Sequence, residues 1–467
     1  LARFLSTESL FGHQYHLGIY SKAVVAFNCL TIMLYPSFAQ TLLAYPHHSK
    51  RLIIAFSGGV DSRVLLELVA RFIAEHPDYQ AHAVYVHHGL SAHADEWGIK
   101  CQRWAESYGI SFTLERVQLE TGARVSVEQA ARQARYHALS THMNLGDILL
   151  TAQHADDQIE TFMLALKRGS GPTGLAAMPQ WQRFELGFHA RPLLTTRRAE
   201  IVQFALDHQL DWVEDESNQD TRYDRNFLRH QIVPELEQRW PGVVAAVSRS
   251  AQLCGEQEEL LAELLGQTLN QAIQSDKSLL LPSPCSKSLG FALIRQWLKS
   301  LAVVMPSLAQ LQQIWSSVVH AKEDANPKLC WSQYEIRRYQ GRLYVLEQWD
   351  DISSWQQTIA LEQTYQLPQN LGKLTLTLQG EKALLRQPKP DETVSVRFHY
   401  QGDAIKPLGR SGSRKIKKLY QEYQVPSWMR NRTPLIFYND KLAAAVGIFV
   451  VAAFSGTDIT ITLENEF

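Results

Sequence analysis

The apolar run Arg51 to Phe56 (RLIIAF) ends in Ser57-Gly58-Gly59-Val60-Asp61-Ser62, after which apolar residues recur at Val64, Leu65, Leu68, Val69 and Phe72. A continuous run giving way to helical spacing predicts strand, tight turn, helix. The glycines let backbone N–H groups approach an anion, and the helix N-terminus adds positive dipole. Two hydroxyls and one carboxylate complete the cradle. A plain glycine-rich turn with Asp61 capping the helix needs only part of this string; the full six residues behind an apolar strand favour a nucleotide phosphate. No Lys follows the glycines, so the turn is not a Walker A loop.

The same alternation recurs. Residues 82–87, 110–117 and 147–152 read as strands, separated by helical stretches such as 94–108 and 126–142. A parallel α/β sheet follows, with ligand expected at the carboxyl ends of its strands, where Ser57, His87 to Gly89 and Gln153 to Asp157 fall. Beyond Asn226 the pattern turns helical (231–239, 243–275, 288–301, 307–321), and beyond about Gln348 it turns strand-rich. With 467 residues and about 150 per domain, we expect an N-terminal parallel-sheet nucleotide-binding domain over 33–242, a helical middle domain over 243–350 and a smaller α+β domain over 351–467. The stripe Leu260, Leu261, Leu264 and Leu265 reads as core. The first methionine is Met33, so residues 1–32 are expected to be an upstream extension.

Composition narrows the partners. Lys plus Arg (46) against Asp plus Glu (47) gives a net charge of −1, so a polyanion must be met by a local basic patch. The five cysteines are odd in number and contain no CxxC pair, which reads as reduced thiols in a cytoplasmic protein. The longest apolar runs reach about 12 residues where a bilayer span takes about 20; no membrane association is expected.

Further motifs follow in order. In Thr151-Ala-Gln-His154-Ala-Asp156-Asp157-Gln-Ile-Glu160-Thr161, a helix start places His154, Asp157 and Glu160 on one face. They suit Mg²⁺ or an amine, although carboxylates in a first turn also answer the helix dipole without any ligand. Lys167-Arg168-Gly-Ser-Gly-Pro-Thr-Gly174 reads either as a phosphate cover or as a linker. Arg132 and Arg135 lie one turn apart on a helix, positioned to reach a phosphate or simply solvated.

These strings, with Trp212-Val-Glu-Asp215-Glu-Ser-Asn218-Gln-Asp220 and Tyr223-Asp-Arg225-Asn226-Phe-Leu-Arg229, resemble the tRNA(Ile)-lysidine synthase family of the ATP-pyrophosphatase (PP-loop) superfamily, from about Met33 to Ala453. The resemblance implies that ATP adenylates the wobble cytidine of the CAU anticodon of an isoleucine tRNA. Free L-lysine then displaces AMP at carbon 2. It implies that Ser57, Gly58, Gly59, Val60, Asp61 and Ser62 bind ATP, that Asp61 with Asp157 holds Mg²⁺, and that Asp157 and Glu160 serve metal or lysine. His154 or a carboxylate would accept the amine proton. Arg225 with Arg135 or Arg132 would stabilise phosphate charge, and Glu214, Asp215 and Glu216 would be structural. No prosthetic group is expected, and a homodimer is compatible with the chain.

A tRNA substrate requires a footprint. Between Lys406 and Arg432 eight basic residues (Lys406, Arg410, Arg414, Lys415, Lys417, Lys418, Arg430, Arg432) face one acidic residue, Glu422, with Tyr420, Tyr423 and Trp428 interleaved. Phosphate contact with base stacking is expected here, joined by Lys167 and Arg168 nearer the nucleotide site. The resemblance implies that this domain grips the acceptor end of the tRNA. A tRNA thiolase of the same superfamily is a rival reading that the missing CxxC opposes; amidotransferase-type synthetases would need a nucleophilic cysteine. A catalytically silent tRNA-binding protein is the remaining alternative.

Overall fold

The computed structural model describes residues 34–44, 50–119, 127–322, 325–378 and 384–464; the extension expected over 1–32 lies outside them. The chain divides into two compact units, residues 1–261 and 262–467.

The first unit is built on a six-stranded sheet. Its strands are β1 (Arg51–Ala55), β2 (Gln80–His87), β3 (Ser111–Arg116), β4 (Ile148–Leu150), β5 (Trp181–Phe184) and β6 (Gly187–Ala190), in the order β3-β2-β1-β4-β6-β5. All neighbours are parallel except the β5–β6 hairpin, whose short strands the sequence reading did not separate. The pleat divides the core: Leu52 and Ile54 face one cluster, Ile53 the other, as period two requires. The first cluster takes in α1 (34–44), α2 (Val60–Glu75), α3 (Ala94–Ser107) and α7 (Arg198–Asp207), through Phe38, Phe72, Cys101 and Ile201 among others. The opposite cluster holds Leu139 and Met143, carried on and just beyond α4 (Val127–Ser140). Val64, Leu65, Leu68, Val69 and Phe72 are all buried, as their spacing predicts.

Because β2 lies on one side of β1 and β4 on the other, the chain reverses direction across the sheet between them. The loops after β1 and β4 therefore flank a topological switch point, the usual ligand crevice of such sheets. The loop after β4 opens α5 (Ala155–Lys167), followed by α6 (Pro172–Leu175). After the sheet, α8 (Asp224–Phe227) runs through a π-helical turn, Leu228–Ile232, into α9 (Val233–Arg239). The long α10 (Val243–Ala272) follows. Its Leu260, Leu261 and Leu264 are 55%, 38% and 70% exposed, so the leucine stripe expected as core instead faces outward.

In the second unit α11 (Lys287–Ser300) matches the helix expected over 288–301, and α12 (Leu308–Gln313) with the π-helical turns Ile314–Val319 that continue it covers most of the one expected over 307–321. They pack Trp297, Leu311 and Ile314 against a three-stranded meander, β7 (Lys328–Trp331), β8 (Tyr334–Tyr339) and β9 (Arg342–Glu347), which a purely helical reading of this stretch omits. The remainder holds a five-stranded antiparallel sheet of β10 (Gln356–Thr358), β13 (Val394–Arg397), β14 (Leu435–Tyr438), β15 (Lys441–Ala445) and β16 (Phe449–Val450). A second sheet joins β11 (Thr364–Gln366), β12 (Lys373–Leu378) and β17 (Ile459–Glu464). Leu374, Leu376, Val396, Ile436 and Ile459 share one core. Leu419 of α13 (Ile416–Glu422) packs with Leu435 and Phe437 in another, and α14 (Ser427–Arg430) carries Trp428.

Candidate active site

The turn after β1 is shaped by Gly58. Its φ is +82°, and a Cβ there would lie 2.7 Å from Cys101 Sγ and 2.9 Å from Val213 Cγ2. Both conformation and space therefore demand glycine. The Gly58 carbonyl accepts the Val213 N–H at 3.0 Å, fixing the turn against the loop after α7. Ser62 Oγ donates to the Gly59 carbonyl at 3.0 Å and lies 3.1 Å from Ser57 Oγ. Gly59 ends the turn without a side-chain cap, which leaves the first amides of α2 directed at the crevice. Asp61 is in the first turn, its side chain 30% exposed overall, with a buried Oδ1 that has no hydrogen-bond partner.

Across the crevice His154 caps α5. Its backbone N–H donates to Asp157 Oδ2 at 3.1 Å, and its Nδ1 accepts weakly from the Asp157 N–H at 3.4 Å. The imidazole is 1% exposed, with Nε2 3.5 Å from Asp157 Oδ2 and 3.7 Å from Asp61 Oδ2. Burial opposes its protonation, but hydrogen bonding to Asp61 and the charges of Asp157, Asp61 and Asp156 outweigh that and raise its pKa above 6.5. Asp156, with Oδ2 3.7 Å from His154 Nδ1, is engaged by Arg197 at 3.0 Å and by the Arg198 N–H at 2.7 Å. Burial resists its ionisation, yet these donors hold its carboxyl below the ordinary range.

Glu160, one turn further along α5, is 1% exposed and receives Arg229 Nε at 2.6 Å and Nη2 at 3.1 Å. The same Nη2 donates to Asp157 Oδ1 at 2.9 Å. Arg225 Nε lies 3.4 Å from Glu160 Oε2 while its Nη2 donates to Thr161 Oγ1 at 3.2 Å. Burial works against the Arg229 guanidinium, but Glu160 and Asp157 prevail and hold it charged. The acidic and asparagine-rich string ahead of these arginines is a scaffold. Asp215 Oδ1 caps the turn at the Ser217 N–H, and Asn226 Nδ2 bridges the carbonyls of Ser217 and Asp220 at 3.0 Å each.

The structure thus brings Asp61, His154, Asp157, Glu160 and Arg225 together. Arg229 joins them, although it was not among the expected site residues. Its signal was its place four residues after Arg225, one helical turn on. Arg135 Nε donates to His88 Nε2 at 3.2 Å, and Arg132 lies over the Tyr136 ring; both are carried on α4, and among the described residues neither pairs with Asp61, His154, Asp157 or Glu160. Lys167 pairs with Asp224 at 2.7 Å, Arg168 is exposed at the end of α5, and Thr173 Oγ1 donates to Glu258.

In the basic segment Lys415, Lys417 and Lys418 are exposed on and beside α13. Arg410 and Arg414 share Glu422, and Arg430 Nε donates to the Val425 carbonyl at 3.1 Å. Arg432 departs from the expectation of phosphate contact. It is 6% exposed, sits over the Trp349 ring and donates to the Gln369 carbonyl. The aromatic residues expected to stack on bases serve packing instead: Tyr420 is buried, Tyr423 stacks on Phe449, and Trp428 is wedged against Tyr339 and Tyr344.

Three family models match the chain: a PP-loop domain over residues 34–236, a TilS substrate binding domain over 283–344 and a TilS substrate C-terminal domain over 394–463. A tRNA(Ile)-lysidine synthase of Photobacterium profundum is 58% identical over 426 residues, covering 91% of this chain and 98% of its own. The chain belongs to the tRNA(Ile)-lysidine synthase family. The synthase of Vibrio campbellii is 50% identical over 436 residues, covering 91% of this chain and 97% of its own. Among solved structures, a U34-tRNA thiolase from Methanococcus maripaludis is similar at 17% identity and a TM-score of 0.41, covering 49% of this chain and 80% of that one. In this lysidine synthase family member the PP-loop match contains every residue of the crevice, from Ser57 to Arg229.

No group of three or more His, Cys, Asp or Glu side chains suited to a metal ion occurs among the described residues, and no helix among them is long and apolar enough to cross a membrane. Mg²⁺ needs only one or two carboxylates when substrate phosphates supply the rest. Asp61, whose Oδ1 accepts no hydrogen bond and lies 4.0 Å from Arg198 Nε, fits that demand. Asp157 fits it less directly, since Arg229 and the His154 N–H already engage both its oxygens.

Proposed function

We propose that this chain joins free L-lysine to carbon 2 of the wobble cytidine in the CAU anticodon of an isoleucine tRNA, consuming ATP and releasing AMP and pyrophosphate. One observation carries the chemistry: the Ser57 to Ser62 turn and the His154–Asp157–Glu160 helix start flank one switch-point crevice, in a chain 58% identical to a named lysidine synthase. The division of labour we infer is adenylation by residues 33–242, substrate binding by 243–350 and tRNA binding by 351–467.

The amides after Gly58 and the α2 N-terminus receive the leaving pyrophosphate. Cytosine oxygen 2 attacks the α-phosphorus as the α–β bridging bond breaks, and Arg225 with Arg135 meets the charge that develops on the phosphate. The lysine ε-amine then bonds to carbon 2, the carbon–oxygen bond to AMP breaks, and the amine sheds its proton. Its unperturbed pKa is about 10.4, so attack requires an acceptor. His154, whose pKa the Asp61 hydrogen bond and the charges of Asp157 and Asp156 raise above 6.5, takes that proton in its neutral form, or one of the carboxylates beside it does. Mg²⁺ held by Asp61, with Asp157 close by, would neutralise pyrophosphate charge. Lys415, Lys417 and Lys418 supply exposed charge for tRNA phosphates, and the free Cys101, Cys254, Cys285 and Cys330 suit a reducing, cytoplasmic setting.

The test combines the protein, ATP, Mg²⁺, labelled lysine and unmodified isoleucine tRNA bearing a CAU anticodon, with Asp61→Ala alongside. Lysine entering the tRNA only with ATP, and lost in the variant, establishes the reaction and its site. AMP without lysine incorporation would point to another nucleophile such as sulfur, and no AMP would leave a binding protein.

A further inference from the structure

Behind the crevice lies a buried polar chain that the chemistry above leaves unused. Arg191, just after β6, is 4% exposed, and no ion pair with a carboxylate occurs for it among the described residues. Its Nη1 donates to the Pro179 carbonyl at 2.8 Å and its Nη2 to His189 Nδ1 at 3.2 Å. Gln182, the cross-strand partner of His189, lies with Nε2 3.3 Å from the same Nδ1. His189 Nε2 is 2.7 Å from Thr151 Oγ1, and the Thr151 hydroxyl donates to Gln153 Oε1. Tyr136 and Phe184 close around the His189 ring.

Proton positions in this chain follow from its fixed end. A guanidinium only donates, so Nδ1 of His189 must accept. Burial first, then the charges of Arg191 and Arg132, push His189 down to about 3, so the ring stays neutral and carries its one proton on Nε2. That N–H donates to Thr151 Oγ1, the threonine hydroxyl passes its own proton toward Gln153 Oε1, and the glutamine amide can then face only one way. Its NH₂ group has no acceptor among the described residues. Gln153 stands in the loop from β4 to His154, at the switch point. A buried cation without a carboxylate is costly; here it sets the polarity of every bond downstream.

We propose that Gln153 is a substrate-contacting specificity residue, its carboxamide locked by Arg191, His189 and Thr151 so that it presents N–H donors to a lone-pair acceptor on a nucleotide bound in the crevice. Arg191, His189 and Thr151 are positioning residues. The acceptor belongs either to ATP or to the cytosine edge of the tRNA. The proposal rests on the ligase reading above, and binding measurements separate the two.

The decisive variant is Gln153→Glu, which keeps an oxygen for the Thr151 hydroxyl but replaces the outward donor by an acceptor. We expect an unchanged thermal midpoint and a loss of about 10-fold to 100-fold in affinity, and with it in kcat/KM, for one substrate, ATP or tRNA according to which carries the acceptor. Thr151→Val, which frees the amide to flip, reproduces part of that loss, and Thr151→Ser restores activity, a rescue that a mere packing role would not show. Dissociation constants for ATP and tRNA are measured on the same samples. Values for both within about twofold of wild type in Gln153→Glu, or equal losses in Thr151→Val and Thr151→Ser, overturn the proposal whether or not lysine is transferred. An inactive wild type overturns the ligase reading beneath it.

Discussion

Arg229 holds Glu160 by two hydrogen bonds, Nε to Oε1 at 2.6 Å and Nη2 to Oε2 at 3.1 Å, across 69 positions of sequence. Glu160 is 1% exposed, and its burial already lifts its carboxyl above the ordinary range. Replacing Arg229 by Ala removes the principal counter-charge and costs about 3–5 kcal/mol, the usual penalty for breaking a buried pair from one side. Urea unfolding of the full chain measures it. Adding Glu160→Gln to Arg229→Ala should recover much of the loss, since of the two carboxylates that Arg229 holds only Asp157, which keeps its bond from the His154 N–H, is then left without it.

The pH dependence of His154 has a definite sign. Its folded pKa is raised above 6.5, so its protonated form contributes stability that is complete below 6.5 and fades as pH climbs through the folded value. Asp61→Asn removes the hydrogen bond that does most to raise it and shifts the titration of the His154 ring protons, followed by NMR, to lower pH. An unchanged midpoint would mean that Asp157 and Asp156 alone hold the proton.

Gly58→Ala forces a side chain into left-handed backbone between Cys101 and Val213. Strain of about 1–3 kcal/mol is expected, with ATP affinity falling because the amides after the turn are displaced. Cys101→Ala added to it removes one of the two obstructing atoms but not the positive φ. Recovery of ATP affinity, followed by equilibrium dialysis, should therefore be partial.

The basic segment separates exposed from structural charge. Lys417→Glu with Lys418→Glu weakens tRNA binding and lowers the salt dependence of log K by about one for each phosphate no longer neutralised. Arg432→Ala, by contrast, loses its perch over Trp349 and lowers thermal stability while leaving the salt slope unchanged. Filter binding across a salt series distinguishes them.

What the sequence made legible was local. The turn from Ser57 to Ser62 is written in consecutive residues, and the His154–Asp157–Glu160 face follows from helical spacing. The Arg229 link was not legible because nothing in a linear pattern pairs positions 69 apart. Arg432 and Trp428 read as a charge and a stacking platform because composition is blind to burial; each turns inward to an aromatic neighbour. The α10 leucines misled for the converse reason, since a leucine stripe shows a preference for burial and not that a partner surface is present. The meander β7 to β9 was missed because its strands, four to six residues long, are too short to override a helical neighbourhood.

The π-helical turn Leu228–Ile232 carries Arg229 to carboxylates set down on α5. The timing of synthesis follows from that geometry. A nascent chain that has released the whole sheet but not yet residue 229 holds Glu160 without its principal guanidinium, so the crevice is left loose until the ribosome has delivered the segment that latches it. Fragments ending before Arg229 should stay in that unlatched state, while those reaching the end of α9 can close it.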